Sequence, residues 1–557
     1  MHPPSFPLVS VPGVELLRSL PLWQLGLLAS LVVAFTLVRR LADPAGRWGL
    51  ALRRRFVLGV PWGTLLVVLG VLSFYLFVQG GIDYWNSPVV IPFRAWSYYY
   101  PLGILTSGFA HGGPSHLTGN LLGTVAFGTL AEYAWGHFPR ERGSASFSSL
   151  GTHPVARIGA FLGATVVAGL LTGLFSLGPV VGFSGVVFAY AAFALVQLPL
   201  HTLVVVLAGG AVDLVYRALR RPTVEAQARE TFSTPWWAEV AIQGHALGLF
   251  VGVLLAVAVL RRRETMPNPL YLFVAVVAFG IDRGLWAIYG FLGNGRYVLY
   301  RAGGLAVLFV MAGLVTAAAT ASDRPLVERI DLRNREAAVG LTMAVLVALS
   351  VAAVPYNLLA LGAGDGLADR PSVEVRDYEV YYAEGVQDRL VSGIDVPGLD
   401  TDVQASGVIV VSEQRNIWWN VYGKRNLASF GERTVRVGGL GWRDGVVANR
   451  TGWSAVGNGS TYRVRLKPAG GEYLTAFQSA PVRAEPTVGG RNVTLFTAAD
   501  GFGVAVTRAN ETLGTARIPA NASSVTVGGL LIENDRGRLF VVDGSTRVRV
   551  ANRESYR

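Results

Sequence analysis

The stretch VVGFSGVVFAYAAFA, Val180–Ala194, decides how the whole chain is interpreted. It places one hydroxyl group, that of Ser184, between two glycines at the start of an apolar helix. A serine there either caps the helix or takes part in chemistry, and this stretch alone does not distinguish the two. Polar partners occur in AHGGPSHLTGNL, Ala110–Leu121, and in IQGHALGLFVGVL, Ile242–Leu254. Because histidines in intramembrane helices indicate functional sites, the three stretches together favour chemistry.

The composition is that of a membrane protein. Of 557 residues, 52% are hydrophobic and 15% are charged, and the mean hydropathy is +0.43, which is too apolar for a soluble globular chain. The formal charge of +12 comes almost entirely from arginine, since Lys424 and Lys467 are the only lysines. Most of the excess flanks apolar segments, which is the positive-inside pattern and not a nucleic-acid interface. The chain has no cysteine, which excludes disulfides and thiolate metal sites.

Hydropathy predicts ten membrane spans, each near the ~20 residues that a bilayer requires. They are Leu22–Val38, Phe56–Val78, Ser115–Gly136, Val155–Leu177, Ser184–Leu198, Leu200–Leu219, Ala238–Leu260, Pro269–Leu292, Val298–Ala321 and Ala337–Leu359. The arginine-rich loops after the first span and around 261–263 and 324–335 are predicted to lie inside. This orientation places Ser184, His116 and His245 near the outer face.

The character of the sequence changes after about residue 362. Segments such as STYRVRLKP and SSVTVGGLLI alternate polar and apolar residues between Gly, Asn and Asp, which is typical of short strands. We therefore expect residues 362–557 to form an all-β, sandwich-like domain. An even number of preceding spans, with the N-terminus outside, predicts that this domain is extracytoplasmic.

Helical spacing predicts how the polar groups meet. His116 and Asn120 are four residues apart and share one helix face. Gly244, Gly248 and Gly252 form a stripe of small residues beside His245, and Gly185 and Ala189 offer a matching face on the serine helix. Such faces allow close approach of two helices. We expect that approach to bring His245 within hydrogen-bond reach of Ser184, as general base and nucleophile, with His116 and Asn120 available as oxyanion donors.

These motifs closely resemble those of the rhomboid intramembrane serine proteases. The resemblance covers about residues 56–260 and depends on HGGPSHLTGN, GFSGVVFA and GHALGLFVG, in that order, and on GTLAEYAWG at the end of the HGGPSH helix. It implies a catalytic dyad of Ser184 and His245 without an acidic member. It also implies an oxyanion hole formed by His116, Asn120 and the Ser184 backbone N–H, and close helix packing at Gly182, Gly185, Gly248 and Gly252.

The sequence departs from the family pattern at two positions. The outer loop of family members commonly carries Trp-Arg, whereas here Trp96 is followed by Ser97 and Arg94 precedes it. Phe188 stands where some members have tyrosine. We expect neither position to touch the predicted dyad.

The predicted organisation has four parts. Residues 1–55 contain an extra N-terminal transmembrane helix and a basic inside loop, and residues 56–260 form the six-helix, rhomboid-like catalytic core. Residues 261–361 add three spans, and residues 362–557 form the outer β domain. The fold class is thus a polytopic α-helical membrane protein with a C-terminal β domain.

Three functions remain open. The first is a serine endopeptidase of the cell membrane that cleaves transmembrane protein substrates within the bilayer. The second is an inactive rhomboid-like factor that binds membrane proteins, and the third is a transporter or receptor, for which the polar residues lie too close to one face. A soluble α/β-hydrolase is disfavoured because Val186 replaces the last glycine of G-x-S-x-G. We expect no cofactor and no metal, and no nucleic-acid partner. The β domain is expected to bind substrate or other outer-surface proteins.

Overall fold

The structure is a computed structural model. It describes residues 21–41, 48–139, 147–223, 235, 241–291, 297–327, 332–359, 367, 369–390, 403–457, 459–509 and 511–556. The predicted boundary between residues 361 and 362, and the first 20 residues of the predicted N-terminal part, lie outside these ranges.

The helical part extends from residue 22 to residue 359. Its helices are α1 Leu22–Leu41, α2 Trp48–Arg55, α3 Trp62–Ser73, α4 Pro101–Ser107, α5 Pro114–Gly123, α6 Thr129–Trp135, α7 Pro154–Phe175, α8 Ser184–Gln197, α9 Pro199–Arg220, α10 Ile242–Arg263, α11 Pro269–Asp282, α12 Arg301–Thr320 and α13 Asn334–Leu359. A π-helical turn, Phe74–Val78, extends α3, and another, Thr124–Gly128, joins α5 to α6. Five of these helices begin at proline, whose fixed φ suits the first helical position and whose missing N–H is not needed there.

Among the described residues, five helices are long and apolar enough to cross a membrane, namely α7, α9, α10, α12 and α13. Shorter apolar helices are α3 with its π-helical turn, α8 and α11. The prediction of a span over 269–292 was wrong in its length, because α11 ends at Asp282. Gly284 then adopts a φ of 70°, and a hairpin of β1 Tyr289–Phe291 and β2 Tyr297–Leu299 follows. Hydropathy did not detect this end, since the residues after Asp282 remain largely apolar.

The serine helix α8 lies at the centre of the helical part. Most of its residues are buried, and they belong to one apolar cluster with residues of α3, α7, α10, α11 and α12. A central helix is apolar on all sides, which explains why its sequence lacks the polar stripe of a surface helix. Ser184, at its first turn, is thereby held by helices from several directions.

The C-terminal region is rich in β structure, as predicted. After the short pair β3 Pro325–Val327 and β4 Leu332–Arg333, its strands are β5 Ser372–Val375, β6 Tyr378–Gln387, β7 Gln404–Ser412, β8 Ile417–Gly423, β9 Glu432–Gly439, β10 Trp442–Ala455, β11 Ser460–Pro468, β12 Leu474–Gln478, β13 Val482–Arg483, β14 Asn492–Ala498, β15 Gly501–Arg508, β16 Glu511–Arg517, β17 Ser523–Val527, β18 Leu530–Asp535, β19 Arg538–Asp543 and β20 Thr546–Arg553. One short helix, α14 Lys424–Phe430, follows β8.

Strands β5 to β20 form three antiparallel sheets. One has the order β5-β6-β7-β8, one the order β13-β14-β15-β16, and the third the order β12-β11-β10-β20-β19-β18-β17, with β9 also paired to β10. The long strand β10 pairs with β9 along its first half and with β20 only at its end, from Trp453 to Ala455. The large sheet therefore contributes to two separate apolar clusters, one around Tyr382 and Val464 and one around Leu495 and Val541. The region has two hydrophobic cores, whereas a single sandwich has one.

Candidate active site

Ser184 is the first residue of α8. The N-cap position belongs to Phe183, and no side chain caps this helix. The Ser184 hydroxyl instead lies 2.8 Å from Nε2 of His245, so the capping interpretation of this serine does not hold. A helix N-terminus also presents unpaired backbone N–H groups, which favour negative charge beside the hydroxyl.

His245 is held by stacking against an aromatic ring, so the expectation that Phe188 would not touch the dyad was wrong. Its imidazole lies parallel to the ring of Phe188, with 4.2 Å between ring centroids and 9° between planes. The other ring nitrogen, Nδ1, is buried and has no hydrogen-bond partner among the described residues. The imidazole is thus oriented by an aromatic face from the serine helix, where many serine hydrolases use a carboxylate.

The helices that carry Ser184 and His245 touch through their backbones. A Cβ added to Gly248 would be 2.8 Å from the carbonyl carbon of Gly185, and one added to Gly252 would be 2.9 Å from that of Ala189. Real Cβ atoms do not approach so closely, so any side chain at these two positions would push α10 away from α8. The absence of side chains lets His245 reach the serine.

His116 and Asn120 lie beside the backbone that leads into the serine helix. Gly182 has a φ of 133°, and a Cβ there would be 2.6 Å from Nε2 of His116 and 3.7 Å from Nδ2 of Asn120. Gly182 is therefore required by both its conformation and its surroundings. The two nitrogens thus lie beside the backbone two residues before Ser184. This placement is compatible with the predicted role of both side chains as oxyanion donors.

Asn120 is oriented by a residue that sequence analysis left unassigned. Its Nδ2 donates a hydrogen bond to Nε2 of His111 at 3.0 Å, which uses one of its two N–H groups. His111 is fully buried, and its backbone is held by Gln79, whose side chain accepts from the His111 N–H at 2.8 Å and donates to its C=O at 2.9 Å. Gln79 was missed; a lone glutamine at the end of an apolar helix was the available signal.

Gln243 is a second supporting residue that sequence analysis missed. Its Nε2 donates to the carbonyl oxygens of Phe175 and Leu349, each at 2.8 Å, and its Oε1 accepts from the Leu177 N–H at 3.0 Å. It thereby joins the start of α10, two residues before His245, to α7 and α13. A helix beyond the predicted core, α13, thus contacts the helix that carries His245 directly.

A small cavity of about 30 Å³ adjoins the serine and the histidine. Ser107, Thr172 and Ser176 contribute polar groups to its wall. A cavity of this size has room for one water molecule, which these polar groups could bind. Among the residues that the structure describes, no three His, Asp or Glu side chains are grouped so that they could hold a metal ion.

Residues 97–262 match the family model described as Rhomboid domain. The matched segment contains every residue predicted for the dyad, the oxyanion donors and the helix contact. No curated protein and no solved structure matches the chain. The match confirms the resemblance found in the sequence and, with the long apolar helices, supports a multi-pass membrane protein.

Proposed function

We propose that this rhomboid family protein is an intramembrane serine endopeptidase that hydrolyses peptide bonds in or near transmembrane segments of other proteins. The observation that carries the proposal is the 2.8 Å separation of Ser184 Oγ and His245 Nε2 at the head of a buried apolar helix. The distance suits direct proton transfer from a hydroxyl nucleophile to an imidazole base.

In the proposed reaction, Ser184 Oγ attacks the carbonyl carbon of the scissile bond while His245 Nε2 takes the hydroxyl proton. The resulting oxyanion is stabilised by His116, Asn120 and the Ser184 N–H. His245 then gives its proton to the leaving amine, and an ester to Ser184 remains. Water from the adjacent cavity attacks this ester with His245 again acting as base, which releases the acid product and restores the serine.

We further propose the predicted membrane arrangement of six core spans, one N-terminal span and three C-terminal spans. The active site then faces the outer side of the cell membrane, and the β-rich region is extracytoplasmic. The distribution of arginine among the loops supports this orientation, with the exception of Arg220, Arg221 and Arg229, which it places on the outer side. Substrates would be membrane proteins whose cleavage site lies near the outer leaflet.

The test is cleavage of a model transmembrane substrate by purified protein in detergent or proteoliposomes, together with labelling by a fluorophosphonate. Ser184→Ala should lower turnover by about 10³-fold or more and abolish labelling, and His245→Ala should do the same. Ser350→Ala is the matched control, because this serine of α13 donates only to the Leu346 carbonyl, at 2.8 Å. It should leave turnover unchanged.

The main alternative is an inactive rhomboid-like binding factor. Wild-type protein that binds transmembrane segments but neither cleaves them nor reacts with the fluorophosphonate would establish that alternative and overturn the proposal. Cleavage by Ser184→Ala at the wild-type rate would overturn the dyad even if the protein proved to be a protease.

A further inference from the structure

The outer segment, residues 84–100 between α3 and α4, packs against the C-terminal β region through part of its length, although Tyr84, Trp85 and Tyr99 stay exposed. Trp96 in this segment is fully buried and belongs to the same apolar cluster as Tyr382 of β6. Polar contacts across the boundary are made by three side chains of the β region. Arg443 donates to the Ser87 carbonyl at 2.8 Å, Asn416 to the Ser97 hydroxyl at 3.3 Å and Arg415 to the Tyr100 hydroxyl at 3.3 Å.

Trp419 of β8 makes the central contact in this interface. The guanidinium carbon of Arg94 lies 4.7 Å from the centroid of the Trp419 ring, and the rings of Trp96 and Trp419 are 5.8 Å apart. Burial lowers the pKa of Arg94 to about 10, so the guanidinium stays charged at neutral pH. A desolvated cation over an indole face is a favourable contact, and indole is the best of the aromatic partners.

The same Arg94 holds the backbone that leads to the serine. Its Nη1 donates to the Pro179 carbonyl at 2.9 Å, and the Ala95 N–H donates to the Val180 carbonyl at 3.1 Å. Two residues further on, Gly182 lies against His116 and Asn120, and the Gly182 N–H donates to the Ser107 carbonyl at 2.8 Å. Contacts therefore run without a gap from Trp419, through Arg94, to the backbone of the site.

We propose that the β region is a positioning element for the active site, in which Trp419 acts through Arg94 to fix residues 179–182 beside the oxyanion donors. This inference rests on the proposed peptidase function. Trp419 touches no reacting atom and is a positioning residue. The family's Trp-Arg pair is absent at residues 96 and 97, and the link between Arg94 and Trp419 supplies the anchoring of the outer segment instead.

The proposal predicts an effect of Trp419 on kcat but little effect on KM. A displacement of about 1 Å in a site backbone can cost about 10²-fold in rate. Loosening of residues 179–182 should therefore reduce kcat, because the oxyanion contacts develop in the transition state. KM should change little, because the bound substrate segment need not touch Trp419.

The test compares Trp419→Leu with Trp419→Phe. Leucine keeps apolar bulk but has no π face, whereas phenylalanine keeps a π face. Phe540→Ala is the control, since Phe540 also stacks with an arginine, Arg547 at 3.6 Å, but lies on β19 in the other half of the β region. Two kinds of measurement are made for each variant: steady-state kinetics, which give kcat and KM for a model transmembrane substrate, and amide hydrogen exchange at Ala95 and Gly182.

Trp419→Leu should lower kcat about tenfold or more, change KM less than about twofold, and accelerate exchange at both amides. Trp419→Phe should restore most of kcat and of the protection, and Phe540→Ala should match wild type in both. Wild-type exchange at Ala95 and Gly182 in Trp419→Leu would overturn the inference, whether or not the protein is a peptidase. Faster exchange with an unchanged kcat would overturn the positioning role. If the wild-type protein showed no turnover, the proposed peptidase function would be refuted, and so would the role of Trp419 in positioning the active site.

Discussion

The backbone of Gly248 lies directly against the carbonyl group of Gly185. A methyl group on Gly248 would be 2.8 Å from the carbonyl carbon and closer still to the oxygen. The oxygen belongs to backbone and cannot rotate away, so even one added carbon requires a shift of the whole helix. The position of His245 relative to Ser184 thus depends on the absence of a single methyl group.

Gly248→Ala should therefore lower turnover by about 10²-fold without removing any catalytic group. Alanine is a better helix former than glycine by about 1 kcal/mol, so a loss cannot come from weaker helix formation. The matched control is Gly340→Ala on α13, where a Cβ would meet nothing within 4 Å. Turnover and fluorophosphonate labelling are measured for both variants. Full activity in Gly248→Ala would show that α10 can move without separating His245 from Ser184.

Phe188 should control how well His245 is oriented. Stacked aromatic pairs contribute about 0.5–1.5 kcal/mol beyond buried area, which corresponds to a loss of up to about tenfold in kcat for Phe188→Ala. Phe188→Tyr keeps the ring and should remain near wild type. Phe309→Ala removes a ring from α12, where Phe309 faces Phe273 at 6.5 Å, and serves as the control. Equal kcat values in Phe188→Ala and wild type would mean that other contacts orient the imidazole.

Asn120 and His111 should act as one unit. Asn120→Ala should lower kcat by about 10²-fold with little change in KM, because its free N–H matters most in the transition state. His111→Ala should cost less, since the amide remains but loses the partner at 3.0 Å that orients it. The double variant should be no slower than Asn120→Ala alone, because His111 acts through Asn120. Additive losses in this double-mutant cycle would assign His111 an independent role.

Glu132 should contribute to the stability of the fold and not to catalysis. Its carboxylate is fully buried and accepts from the N–H groups of Gly63 and Thr64, each at 2.7 Å, from the Thr64 hydroxyl, and from His137 at 2.6 Å. Glu132→Ala would leave these donors buried without a partner, and we expect a loss of about 3–5 kcal/mol in the free energy of unfolding.

The control for Glu132 is Asp213→Ala, which removes an exposed carboxylate paired with Arg217 at 2.8 Å. Exposed pairs contribute about 0–1 kcal/mol, so its unfolding transition should remain near that of wild type. Unfolding is followed in detergent for both variants. Similar unfolding transitions for Glu132→Ala and Asp213→Ala would show that the hydrogen-bond donors around Glu132 find other partners. The protein that stays folded should still be labelled at Ser184 by the fluorophosphonate.

Local sequence was sufficient for the parts of the site that depend on helical repeat. The i, i+4 spacing places His116 and Asn120 on one face, and the glycine stripe of α10 predicts a close helix contact, because these relations follow from 3.6 residues per turn. The same reasoning identified most apolar helices and the β-rich C-terminal region. These patterns indicate that a residue is buried, but they do not indicate which other segment of the chain packs against it.

Only the tertiary structure decided which segments of the chain pack against one another. Hydropathy wrongly predicted that the span would continue past Asp282, because the turn at Gly284 and the hairpin after it are also largely apolar. Alternation predicted strands but not that β10 would join two hydrophobic cores, since that requires its pairing with β9 at one end and β20 at the other. The contact of Arg94 with Trp419 joins residues from opposite parts of the chain. No periodicity encodes such a pair, because its formation depends on the packing of two regions that each fold around their own core.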